Sequence, residues 1–80
     1  MNSADTIVAR ASAAGRGGVA VVRVSGPATA SLVEAVAGDL PRPREAALRE
    51  FHDTDGTPID TGLVLWFPAP RSFTGEDVAE

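Results

Sequence analysis

Val19-Ala20-Val21-Val22-Arg23-Val24-Ser25-Gly26-Pro27 carries the strand-to-helix transition around which the rest of the chain is arranged. Five of its first six residues are apolar and suit an extended backbone, so it reads as a strand buried on both faces. A period of two puts Ala20, Val22 and Val24 on one face and Val19, Val21 and Arg23 on the other, where a guanidinium ends an apolar row. Gly26 then offers a helix cap, and Pro27 suits the first helical position because its missing N–H would have no partner there. The helix is predicted to run to about Ala37, with Leu32, Val33 and Val36 as its apolar stripe and Gly38 as its stop.

Upstream, Asp5 to Ala11 alternates around Ile7 and Val8 as a strand would, and Gly15-Arg16-Gly17-Gly18 separates it from the central run. Downstream, Pro41 and Pro43 stiffen a connection into Glu45 to Phe51. Asp53-Thr54-Asp55-Gly56 is turn chemistry, and it leads toward Leu63-Val64-Leu65-Trp66-Phe67, so a hairpin is predicted. Thr74 and Asp77 have the spacing of a capping box, which predicts the start of a second helix. That helix would have two turns or fewer before Glu80, so residues 1–80 read as one truncated domain. The expected class is α+β: a small, mostly antiparallel sheet of about four strands with one packed helix and the start of a second.

Composition bounds what such a chain can do. Eighty residues form one domain at most, and a domain of this size buries only ~60% of the surface its unfolded chain exposes. Of the 44% hydrophobic residues, many are alanine, so the core has little material to spare. Cysteine is absent, which removes disulfides, thiolate metal sites and thiol nucleophiles. All seven basic residues are Arg, so neither a Gly-x-x-x-x-Gly-Lys-Ser/Thr phosphate loop nor a Schiff-base lysine is available. The net charge of −4 argues against a general polyanion binder. Neither a membrane span nor a signal peptide is legible, so the expected location is cytosolic.

Four places carry possible chemistry. The Gly15–Gly18 loop could curl its N–H groups around an anion, form a plain turn, or act as a solitary Arg-Gly-Gly RNA contact. Arg23 on a buried face needs a partner, either an acid within the fold or a ligand carboxylate or carbonyl that suits its planar fork. His52-Asp53-Thr54-Asp55-Gly56 places Gly too early for a calcium loop and His52 has no companion ligand, so it reads as a hairpin turn with solvated acids. Ser72 to Glu80 gathers hydroxyls, Gly75 and three acids just after a strand, with Glu76 and Glu80 on one face if helical; it is a ligand site or a capped helix start.

These segments together resemble the N-terminal domain of the bacterial tRNA-modifying GTPases called MnmE or TrmE. The resemblance rests on Asp5-Thr6-Ile7, on Gly15-Arg16-Gly17-Gly18 leading to Arg23-Val24-Ser25-Gly26, and on Leu40-Pro41-Arg42-Pro43-Arg44. It continues through Asp53, Asp55-Gly56 and Asp60 to Leu65-Trp66-Phe67-Pro68-Ala69-Pro70 and Ser72-Phe73-Thr74-Gly75-Glu76-Asp77-Val78. Ala14 departs from the family's usual Pro, and Glu45 from a common aromatic. The resemblance implies a fold like part of the folate-binding domain of glycine-cleavage T proteins, binding of 5-formyltetrahydrofolate as one-carbon source, and homodimerisation through this domain. The folate contacts it carries onto this sequence are Arg23 and Glu80. For the whole protein it implies a GTPase domain using GTP, potassium and magnesium, and a flavoprotein partner, MnmG, with which the wobble uridine of certain tRNAs is modified. None of those GTP-binding motifs occurs here, so this chain alone is expected to be non-catalytic. The alternatives are an architectural dimerisation module without folate binding, or direct RNA binding through the Gly-Arg-Gly-Gly loop.

Overall fold

A computed structural model describes residues 5–11 and 20–80. Among these described residues, six strands and one helix follow in the order β1 (Ile7–Arg10), β2 (Val22–Ser25), α1 (Thr29–Ala37), β3 (Ala47–His52), β4 (Pro58–Val64), β5 (Trp66–Phe67) and β6 (Val78–Ala79). The expected α+β class holds. Strands β1, β2, β6 and β5 form an antiparallel sheet in that order, while β3 and β4 form a separate hairpin.

The central strand shows the predicted alternation but not the predicted two-sided burial. Val22 is largely exposed and Val24 and Arg23 are half-buried, because a four-stranded sheet with one helix covers only part of each face. Val19, and the Gly15–Gly18 loop before it, lie outside the described residues. In register, Ile7 opposes Ser25 and Ala9 opposes Arg23, so these four share one face. Val8, opposite Val24, belongs to the other face, on the helix side.

Helix α1 begins two residues later than the Pro27 start suggested. Gly26 is not a cap but a point of close approach: its φ is +137°, and a Cβ there would lie 2.5 Å from the Asp5 carbonyl oxygen and 2.6 Å from Thr6 Cα. The cap comes from the residue before β1: Thr6 Oγ1 accepts the Ala28 N–H at 2.8 Å and satisfies one of the helix's orphan donors. At the far end Gly38, at φ +88°, donates to the Glu34 carbonyl at 3.0 Å, the stop that its position suggested.

Thr29, Val33 and Ala37, spaced four apart, form the buried edge of α1. Val33 and Ala37 pack with Val64, Trp66 and Ala79 as the core, flanked by Ala30, Leu40 and Phe51. Leu32 and Val36 face instead a groove of about 350 Å³ bounded by Val8, Val22, Ile59 and Leu63, where apolar side chains stand partly in solvent. Thr29 is fully buried, and its Oγ1 lies 2.8 Å from the Gly26 carbonyl and 3.2 Å from that of Asp77, tying the helix start to the sheet. Thr29→Val keeps the shape and removes this donor. It is expected to cost about 1–2 kcal/mol, readable as a lower denaturation midpoint by fluorescence of Trp66, the chain's sole tryptophan.

The hairpin forms as its turn residues imply. Gly56 N–H donates to the Asp53 carbonyl at 2.9 Å, Asp53 N–H to that of Thr57 at 2.8 Å, and Gly56 takes φ +85°, which a side chain would resist. Hydrogen bonds from Thr57 hold the Asp55 carboxyl below the usual carboxylate range. A depressed folded-state value means this contribution is full above the ordinary carboxylate range and is lost as pH falls through the lowered value.

The apolar run Leu63 to Phe67 is divided rather than continuous. Val64 ends β4, Leu65 exchanges backbone bonds with Glu80 at 2.8 and 3.0 Å, and Trp66 and Phe67 pair with Ala79 and Val78. The second helix predicted from Thr74 is absent. Residues 71–77 are irregular, and Val78–Ala79 is an inner strand between β2 and β5. Burial overrides the capping pattern here: Val78 and Ala79 are almost wholly enclosed and supply backbone pairs to strands on both sides.

Candidate functional site

Arg23 projects from β2 onto the sheet face opposite α1, and Glu80 follows β6 directly, two positions beyond Val78 and so toward that same face. The two side chains meet although 57 positions apart in sequence. Arg23 Nε donates to Glu80 Oε2 at 2.8 Å, and its second nitrogen, NH2, donates to the same oxygen. Both guanidinium bonds therefore go to Oε2. Their side chains are 35% and 24% exposed, so the pair is reachable from solvent and is not a sealed structural ion pair. At this exposure it contributes only about 1 kcal/mol to folding.

Arg23 opens onto a cleft of about 280 Å³ lined also by Ile7, Ala9, Ser25, Phe73, Thr74 and Glu76, with Arg10–Ala11 at its β1 end, while Glu80 adjoins it through Arg23 and itself borders the groove beside α1. Phe73 lies against the guanidinium, with the Arg23 carbon 4.8 Å from its ring centroid, a cation–π contact. Ser25 Oγ meets Thr74 Oγ1 at 2.8 Å and donates to Glu76 Oε1 at 3.4 Å, fixing the 71–77 segment over the strand that carries Arg23. The cleft can offer a planar cationic donor, the Glu76 carboxylate, hydroxyls and an aromatic face, with the Glu80 carboxylate behind the guanidinium. It is suited to a flat, polar, hydrogen-bonding ligand.

The residues singled out in the sequence separate clearly. Arg23 and Glu80 are brought together, and Arg23 has the acid partner that its lone charge demanded. Glu76 lines the cleft from an irregular segment, so the shared helix face with Glu80 does not exist. Asp77 is held elsewhere, its Oδ1 accepting the Ala69 N–H at 2.8 Å. His52 pairs with Glu50 at 2.9 Å beside a plain turn, and among the described residues no group of three potential ligands could hold a metal. The sequence reading missed Phe73 and Ser25. An exposed aromatic set among Ser72, Thr74 and Gly75 was the available signal, and the strand alternation already placed Ser25 beside Arg23.

Residues 6–80 match the family described as GTP-binding protein TrmE N-terminus. Among the similar proteins is a tRNA modification GTPase MnmE of Pectobacterium atrosepticum, 58% identical over all 80 residues of this chain and 18% of its own length. The MnmE of Phenylobacterium zucineum is 62% identical over 76 residues, 95% of this chain and 17% of the relative. That of Alkalilimnicola ehrlichii is 61% identical over 75 residues, 94% of this chain and 17% of the relative. The chain thus spans less than a fifth of the length of the curated relatives it matches.

Proposed function

The chain belongs to the family of the GTP-binding protein TrmE N-terminus, and we propose that it binds the head group of 5-formyltetrahydrofolate through Arg23 and Glu80. In this reading it is the one-carbon-binding and homodimerising domain of a cytoplasmic GTPase that modifies the wobble uridine of tRNA together with MnmG. GTP, potassium and magnesium belong to a different part of such a protein, in keeping with the lack of any lysine for a phosphate loop. The observation that carries the reading is the pairing of Glu80 with Arg23, whose guanidinium lines an accessible cleft.

The donor set suits this ligand. A carboxylate can accept two pterin N–H groups, and a guanidinium can donate to a ligand oxygen. The cleft lies just under the ~300–1,000 Å³ typical of small-molecule sites, which is room for the bicyclic head but not the whole folate. The partly exposed apolar groove beside α1 supports a domain that is completed by further protein surface.

Calorimetric titration of the intact protein with 5-formyltetrahydrofolate tests the reading. Saturable binding is expected. The absence of binding heat at every temperature tried would leave the architectural dimerisation module, which the self-satisfied Arg23–Glu80 pair would then serve as a strut. RNA binding through Arg16 is addressed separately: Arg16→Ala is expected to leave the salt dependence of tRNA affinity unchanged, whereas a slope shallower by about one would restore that reading.

A further inference from the structure

Phe73 is 83% exposed, the largest exposure of any large apolar side chain among the described residues, and no core contact accounts for it. An exposed phenyl group gains nothing from folding, and its position is set by its neighbours. Its surroundings are tied down on both sides. Ser72 N–H donates to the Pro70 carbonyl at 3.0 Å, and its hydroxyl donates to the Glu76 carbonyl. Thr74 Oγ1 meets Ser25 Oγ and also accepts the Glu76 N–H at 3.3 Å. Arg71 is fixed through its carbonyl, which accepts from the Arg44 guanidinium at 3.0 Å. The segment is thus braced while the ring it carries faces the cleft, with the Arg23 guanidinium against it and the rest of its surface open.

We propose that Phe73 is a binding residue of this site that selects for a planar heteroaromatic head group, by stacking on the pyrimidinone part of the pterin while Glu80 accepts from the pterin N–H edge. The inference rests on the folate reading above. Three features of the molecule combine in it: an open aromatic face, a carboxylate whose Oε1 takes no hydrogen bond from the described residues, and a shared guanidinium that orients both. An aromatic face favours offset stacking on a flat ring, and hydrogen bonds at the ring's edge then fix its rotation. Neither a flexible aliphatic ligand nor a lone anion would use the ring in this way.

The test is a series of Phe73 variants of the intact protein titrated with 5-formyltetrahydrofolate, with thermal midpoints measured in parallel. Phe73→Leu keeps apolar bulk and removes the π face; it is expected to weaken binding about tenfold without lowering the midpoint, because the side chain is not part of the core. Phe73→Tyr and Phe73→Trp are expected to restore affinity to within about threefold of wild type. Wild-type affinity in Phe73→Leu would overturn the stacking role, and so would equal losses in the Leu, Tyr and Trp variants. A wild-type protein that binds no folate would instead overturn the folate reading, and the role of Phe73 would fall with it.

Discussion

Gly26→Ala is expected to unfold the domain or nearly so. The substitution puts a methyl group against backbone, 2.5 Å from the Asp5 carbonyl oxygen and 2.6 Å from Thr6 Cα, at a φ of +137° that side chains resist. A flexible side chain could swing away; the backbone leading into β1 cannot without disturbing that strand and withdrawing Thr6 from its hydrogen bond to Ala28. Strain at such a backbone position and overpacking each cost about 1–3 kcal/mol, so a total on the order of 4 kcal/mol is expected. A domain of this length has only about 4–12 kcal/mol in all. The loss is to be read from the denaturation midpoint of Trp66 fluorescence, with Gly38→Ala as comparison, where open space surrounds the added Cβ and only the positive φ opposes it. Equal midpoints for the two variants would show that the close approach to β1 is not what requires glycine.

Arg23→Ala and Glu80→Gln are expected to weaken 5-formyltetrahydrofolate binding by about thirtyfold each, on the order of 2 kcal/mol for one charge-assisted contact. Their effects on folding should be smaller, because a pair this exposed contributes about 1 kcal/mol. That contrast separates the two roles open to Arg23. A strut would lose stability and leave ligand affinity alone; a ligand contact loses affinity more than stability. The two variants also check one another, since removing Arg23 frees the carboxylate and neutralising Glu80 frees the guanidinium. A site that needs both loses affinity in either case.

Much of this was legible in the amino-acid sequence, and what was not has a physical cause. The period-two alternation around Arg23 placed it opposite Val22 and Val24, because alternation is a local property of extended chain. Asp53 to Gly56 announced a hairpin for the same reason: its turn is specified by the residues that make it. The capping pattern at Thr74 and Asp77 misled because it is also local, whereas the strand at Val78–Ala79 is imposed by β2 and β5, which come from residues far away in sequence. Likewise the close contact at Gly26 depends on Asp5–Thr6, the lead into β1, lying across it, and nothing near Gly26 reveals that. For the site, family resemblance pointed to Arg23 and Glu80 as separate contacts, and the lone charge of Arg23 pointed equally to an internal acid or to a ligand group. The fold joins the two ideas, since the acid is Glu80. Phe73 is not legible as a site residue from sequence, because exposure, not residue type, is what sets it apart.

The central claim is that the cleft beside the Arg23–Glu80 pair is a folate site, and a crystal structure of the intact protein with saturating 5-formyltetrahydrofolate tests it most directly. The account predicts the pterin head in the cleft, with its N–H edge on the Glu80 carboxylate, a ligand oxygen on the Arg23 guanidinium and its flat ring on Phe73. A folate bound elsewhere, with the Arg23–Glu80 pair and the open face of Phe73 unchanged, would contradict it.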